Sequence, residues 1–230
     1  MPNHSIAIDG PAGAGKSTVA KRLAAKQGLI YVDTGAMYRT MGLYFLNAGV
    51  DIHDEDAVSA HVNEPVIRPV CSDGEQKIFL GEEDVTQTIR QNEIGDAASL
   101  ISTYGAVRAR LVDLQQEIAH TNDVVMDGRD IGTVVIPDAF LKIYLTADVR
   151  VRAERRVGEL AEKGIVRSIE EIEKEIRERD ERDMNREISP LKQAEDAVLV
   201  DTTGMGIEEV VGFLSAVYEG RLGAAQGEEG

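Results

Sequence analysis

The stretch GPAGAGKST, residues 10–18, follows the apolar run SIAI with its closing Asp9, and precedes a helix-forming segment from Lys16 to about Gln27. It constrains the fold more than any other feature of the chain. Gly10, Gly15, Lys16 and Ser17 satisfy Gly-x-x-x-x-Gly-Lys-Ser/Thr at a strand-to-helix junction, where the motif's mechanism requires it. The glycines let the backbone curl so that its N–H groups face phosphate oxygens, and the helix N-terminus adds a positive end. Lys16 then reaches the β- and γ-phosphates, and Ser17 offers its hydroxyl to a Mg²⁺ ion. The whole stretch Gly10, Pro11, Ala12, Gly13, Ala14, Gly15, Lys16, Ser17 and Thr18 is expected to hold the phosphates of a nucleotide such as ATP.

The rest of the chain predicts what surrounds this loop. LIYVD reads as a second strand ending at Asp33, and TGAMYRTMGLYFLNAG as a helix capped by Thr34 and stopped by Gly49. Strand alternating with helix predicts an α/β fold, a parallel sheet flanked by helices. From about Asn63 to Asn92 the runs PVIRPV, QKIFLG and EDVTQTI are short and separated by SDGE and GEED, which predicts a small antiparallel insert. IGDAASLIS and GAVRARLVDLQQEIAH read as helices broken at Gly105. VVMD and FLKIYL read as buried strands, residues 148–184 as charged helices interrupted near EKGIVRS, and AVLVDTTG and IEEVVGFLSAVYEG as a last strand and helix. The expected division is a core in three parts (1–62, 96–150, 186–222), an insert at 63–95, a helical lid at 151–185 and a flexible tail at 223–230.

Composition narrows the chemistry. With 230 residues, 43% hydrophobic and 29% charged, the chain can bury a real core. A formal charge of −16 opposes binding to a nucleic-acid backbone, but arginines clustered in a cleft still suit a small anion. The single cysteine, Cys71, cannot pair within the chain, and His4, His53, His61 and His120 have no metal-ligand spacing. With no apolar run of membrane length and no secretion signal, a cytoplasmic monomer is expected.

A phosphate loop alone does not separate a GTPase from an ATPase or a small-molecule kinase. No Asn-Lys-x-Asp tetrad is present to read guanine, which argues against the first. Arg39 and Arg129 follow the second strand and the VVMD strand, near the carboxyl ends where doubly wound sheets bind ligands, so both can hold an acceptor phosphate. In RDERDMNR, Arg179, Asp183 and Arg186 fall on one helix face, which is either a solvated ion-paired surface or the wall of a ligand site.

Taken in order, GPAGAGKST, DTGAMYR, AAS at 97–99, VR at 107–108, DGRDIGT and ERDERDMNREISPL resemble the signatures of bacterial cytidylate kinases, in the nucleoside monophosphate kinase superfamily of P-loop kinases. The resemblance spans nearly the whole chain, and DGRDIGT and RDERDMNR are far more specific than the phosphate loop. It implies a P-loop NTPase fold, with the insert extending the monophosphate-binding region and a lid closing over the donor. It implies phosphoryl transfer from ATP, with Mg²⁺, to CMP or dCMP, in pyrimidine nucleotide metabolism.

Site roles follow from the same resemblance. Arg39 and Arg129 would clamp the acceptor phosphate beside the Thr34 hydroxyl. Ser99, Arg108, Asp130 and Arg186 would face cytosine, with Asp130 accepting from the exocyclic amine and arginines donating to O2 and N3. Arg179 and Asp183 would hold a sugar hydroxyl. Lys16, Arg39, Arg129, Arg152 and Arg156 would neutralise the transferring group, although Arg152 and Arg156 can equally belong to a solvated helix that pairs with Glu154 and Glu159. Arg182 either pairs with acids or approaches the donor phosphates. Asp127 ends its strand like an acid that orients a magnesium-bound water, and Asp33 competes for that role. The rival readings are a kinase for UMP or AMP and a regulatory module that binds ATP without transfer.

Overall fold

A computed structural model describes residues 4–72, 75–162 and 164–228. In chain order, β1 (Ile6–Asp9) leads through the phosphate loop into α1 (Lys16–Gln27), and β2 (Ile30–Asp33) passes directly into α2 (Thr34–Ala48). After α3 (Glu55–His61) come β3 (Ile67–Ser72), β4 (Glu75–Leu80) and the two-residue β5 (Glu83–Asp84). A 3₁₀ turn at Thr88–Arg90 returns the chain to α4 (Asn92–Ile101), α5 (Gly105–Thr121) and β6 (Val124–Gly128). One π-helical turn, Ile131–Val135, precedes β7 (Leu141–Thr146), α6 (Val149–Glu162), α7 (Ile169–Asn185), β8 (Val198–Asp201) and α8 (Ile207–Glu228).

The main sheet has the order β2-β6-β1-β7-β8 with every neighbour parallel. Parallel strands need crossover helices, which cover both faces and so demand strands apolar on both sides. β1 is buried throughout. Ile6 and Ile8 pack with Leu23 of α1 and Leu214 of α8, whereas Ala7 faces the opposite layer with Val32, Val124 and Met126. Ile6, Ile8 and Leu23 are each fully buried, and each such side chain contributes about 1.5–3 kcal/mol. The register sets Asp9 opposite Gly128 and Asp33 opposite Asp127, so the carboxyl ends of β1, β2 and β6 finish at one level. That level is the floor of the site.

The insert is a three-stranded antiparallel sheet, β3-β4-β5, whose Ile67 and Ile78 join α2, α4 and α5 in one apolar cluster. EDVTQTI contributes only the short β5 and the 3₁₀ turn rather than a full strand, and the centre of the SDGE turn lies outside the described residues. Three local expectations are corrected. Asp33, not Thr34, caps α2, because its carboxylate accepts the Ala36 N–H at 2.9 Å while Thr34 is already helical. Gly105 opens α5 instead of separating two helices, the break falling at residues 102–104. The segment expected as a tail from 223 continues α8 as far as Glu228. Gly49, at φ 69°, ends α2 in the left-handed conformation, as expected.

Candidate active site

The phosphate loop takes its shape from close packing on the next strand. A Cβ on Gly10 would lie 1.9 Å from the Leu145 carbonyl oxygen, and the residue has φ +150°. Only glycine fits there. Lys16 is buried and its Nζ donates to Pro11 O at 2.7 Å, so the loop closes on its own lysine. Burial and the neighbouring Arg129 push the Lys16 ammonium well below its usual pKa. Asp9 anchors the base of the loop, accepting the Ile131 and Gly132 N–H groups at 2.8 Å each, and burial raises its carboxyl to about 6.

Beside Lys16, Ser17 Oγ donates to Asp127 Oδ2 at 2.8 Å and the Tyr31 hydroxyl donates to Asp127 Oδ1 at 2.9 Å. Burial, then the Asp33 charge, raises Asp127 to about 6. A hydroxyl and two carboxylates that repel one another form a hard oxygen set suited to Mg²⁺. Among the described residues no three His, Cys, Asp or Glu side chains converge as a complete metal site, so an ion here also needs water and substrate oxygens. That is the usual condition of Mg²⁺ at phosphate sites.

The loop opens into a cleft of about 1040 Å³. Ala12, Gly13, Ala14, Gly15, Lys16, Ser17 and Thr18 line it, as do Asp33, Thr34, Arg39, Ser99, Arg108, Asp127, Arg129, Asp130, Arg156, Arg179, Asp183 and Arg186. Gly10 and Pro11 lie beneath the loop and outside the lining. On one wall Arg129 Nε donates to Asp183 Oδ2 at 2.7 Å, and Thr34 Oγ1 donates to Asp127 O at 2.7 Å. Burial would raise the Asp183 carboxyl, but Arg129 and Arg179 outweigh it and hold the group below its usual range. Burial and then Arg129 lower Arg179 to about 10, and burial lowers Arg39 as well. Crowded, desolvated cations of this kind are relieved by an anion set among them.

Deeper in, Arg108 donates to Asp130 Oδ2, and Arg186 Nη2 lies 3.6 Å from Asp130 Oδ1, an ion pair longer than a hydrogen bond. Tyr38 OH, Ser99 Oγ, Arg108 Nε and Arg186 Nη2 are buried without hydrogen-bond partners. Such groups are costly unless a ligand satisfies them.

The arginines of α6 and α7 divide. Arg156 lines the cleft and pairs with Glu159 at 3.0 Å, on a side chain 40% exposed. Arg152, expected above the donor phosphates, does not line the cleft. It is 7% exposed and bonded to Asp180, Ala12 O and Ala147 O, because a carboxylate and two carbonyls satisfy its guanidinium before any phosphate can. Arg155 donates to Thr202 O at 2.7 Å, and Arg182 lines the cleft.

Sequence reasoning missed Tyr38, Arg90 and Asp180. Arg90, on the 3₁₀ turn of the insert, donates to Asp33 Oδ2 at 3.0 Å and so ties the insert to the end of β2. No local pattern marks Arg90. Tyr38 stood within the DTGAMYR motif, one position before Arg39.

A phosphate loop at the carboxyl edge of a parallel sheet, facing a half-buried cationic wall across one cleft, defines a P-loop kinase whose acceptor is itself an anion. The chain belongs to the cytidylate kinase family, whose model matches residues 6–219. Relatives named cytidylate kinase include those of Leuconostoc mesenteroides (46% identical, 96% of this chain and 99% of the relative) and Streptococcus pneumoniae (49%, 96% and 100%). Among solved structures, a gluconokinase from Sinorhizobium meliloti superposes with a TM-score of 0.51 at 14% identity, covering 99% of this chain and 98% of that one. That likeness is one of fold. No helix among the described residues is long and apolar enough to cross a membrane.

Proposed function

We propose that the chain transfers the γ-phosphoryl group of ATP to the α-phosphate of CMP or dCMP, giving ADP with CDP or dCDP. The observation that carries this reading is the Arg108–Asp130–Arg186 set with its unpartnered donors, which sits in the same cleft as the phosphate loop. A carboxylate flanked by guanidiniums matches cytosine, whose amine donates and whose O2 and N3 accept. Uracil reverses that pattern at O4 and N3. The family membership and the relatives' names support the same substrate.

On this reading the acceptor oxygen is already an anion, so no general base is needed. Catalysis rests on in-line positioning and on neutralising the transferring group. Arg39, Arg129 and Thr34 hold the acceptor phosphate, Arg179 and Asp183 the sugar hydroxyl, and Ser99, Arg108, Asp130 and Arg186 the base. Lys16 leaves Pro11 O for the donor phosphates, and Arg156 and Arg182 approach them from the lid side. Ser17, with Asp127 and Asp33 through water, would hold Mg²⁺, which supplies charge neutralisation at the donor phosphates. A module that only binds ATP would have no use for the half-buried cations of the acceptor wall. The chain is taken to act as a monomer, and the donor suits the cytoplasm.

The test is ADP release from Mg-ATP with CMP, dCMP, UMP and AMP offered separately, repeated with Arg186→Met. Turnover led by CMP and dCMP is expected, with the variant raising the KM for CMP by about 10- to 100-fold, the worth of one good base contact. Release that no monophosphate stimulates would refute the kinase reading.

A further inference from the structure

Resting on that reading, we infer that Arg152 and Asp180 form a positioning pair, which docks the bend of the phosphate loop onto α6 and α7 and so sets the donor phosphates against the acceptor wall. Asp180 Oδ1 accepts the Ala12 N–H at 3.0 Å, and Asp180 Oδ2 accepts from Arg152 Nη1 at 2.6 Å. The same Nη1 donates to Ala12 O at 2.8 Å, and Arg152 Nε donates to Ala147 O at 2.9 Å. Both main-chain polar groups of Ala12 are therefore held by the pair. A Cβ on Gly13 would lie 3.3 Å from Arg152 Cβ, so α6 leaves little room for a side chain at the next residue of the loop.

The geometry separates this pair from an ordinary lid ion pair. Arg150, Arg167 and Arg177 pair with glutamates on exposed surface, whereas Arg152 and Asp180 are 7% and 6% exposed and bond to the loop backbone itself. Asp180 lies between Arg179, which lines the cleft, and Asp183, which holds Arg129. One helix thus grips the donor loop by Asp180 and builds the acceptor wall with its neighbours. The pair touches no reacting atom in this arrangement; it acts through the backbone of Ala12.

The role is separated from stability by reading kcat and CMP affinity on protein shown to be folded, since apolar side chains of similar size remove both charges together but also leave Ala12 and Ala147 without these partners. The experiment compares the wild type with the double variant Arg152→Met/Asp180→Leu and with Arg152→Lys, reading thermal melting, kcat, the KM for ATP and the calorimetric Kd for CMP without ATP. The expected result for the double variant is a folded protein with lowered melting, because Ala12 and Ala147 lose their side-chain partners, and a CMP Kd within about twofold. Its kcat should fall about 10- to 100-fold, as misplacement of a reacting group by about 1 Å produces. Arg152→Lys keeps the charge but not the fork that serves Asp180 and two carbonyls together, so it should show the same split, more weakly.

A folded double variant with wild-type kcat and ATP KM overturns the inference. If the double variant does not fold, Arg152→Lys decides in the same way, and unchanged kcat with lowered melting overturns it too. Wild-type protein that turns over no monophosphate refutes the proposed function instead. The pair is then judged by the affinity of the double variant for a fluorescent ATP analogue, where wild-type affinity overturns it.

Discussion

Asp130 carries two arginines in a buried pocket and leaves several donors there without partners. Asp130→Asn keeps the size but replaces one acceptor by an amide donor. We expect kcat/KM for CMP to fall by about 10- to 100-fold and the ratio of UMP to CMP use to rise, measured with both acceptors under one set of conditions. An unchanged ratio would remove Asp130 from base discrimination. Asp9 allows a test by pH. Burial raises its carboxyl from 3.8 to about 6, so the native state holds the proton more tightly than the unfolded chain does. Its contribution to stability is therefore complete below about pH 4 and is lost as pH rises through about 6. Unfolding in urea at pH 5 and pH 7 should show a loss of about 1 kcal/mol over that interval which Asp9→Asn lacks. At this scale the phosphate loop was legible because the motif dictates backbone geometry. Arg152 was not, since a charged helix face reads the same whether it meets a phosphate or a carboxylate 28 residues away.

The α6–α7 pair has its own small core, in which Ala153 and Leu160 of α6 meet Ile172 and Ile176 of α7, apart from the clusters that hold the sheet. Ile172 is 3% exposed, so Ile172→Ala should destabilise the pair by about 2–4 kcal/mol. The loss should be local: faster hydrogen exchange across 149–162 and 169–185, with exchange in β1 and β6 unchanged. Equal acceleration in the sheet would show that the α6–α7 pair and the sheet unfold together. The strands and long helices were legible because burial on two faces and helical periodicity leave plain apolar patterns. α3, the π-helical turn at Ile131–Val135 and the 3₁₀ turn at Thr88–Arg90 were not. Each is a turn or two whose form depends on distant partners, as when Asp9 takes the Ile131 and Gly132 N–H groups.

Across the whole molecule the charge is −16, yet the cleft gathers Lys16 with Arg39, Arg90, Arg129, Arg179 and Arg186. An anionic substrate approaching an acidic protein is repelled at long range and attracted only near the cleft. Salt screens the repulsion over about 10 Å while leaving buried contacts nearly intact. We expect the KM for CMP to change by less than about threefold between about 0.02 M and about 0.3 M salt, unlike an enzyme whose outer surface draws its substrate in. A steep rise in KM would mean that the cationic field reaches beyond the cleft. The architecture was legible from the order of motifs, because a phosphate loop at a strand end presupposes the parallel sheet behind it. The division of labour along α7 also bears on how such a chain can change over generations. Arg179, Asp180 and Asp183 serve their different partners only while they keep their angular spacing, and one inserted residue turns everything beyond it by about 100°. Lineages that retain this chemistry are therefore free to vary the outward letters of that helix, but not its length between the donor grip and the acceptor wall.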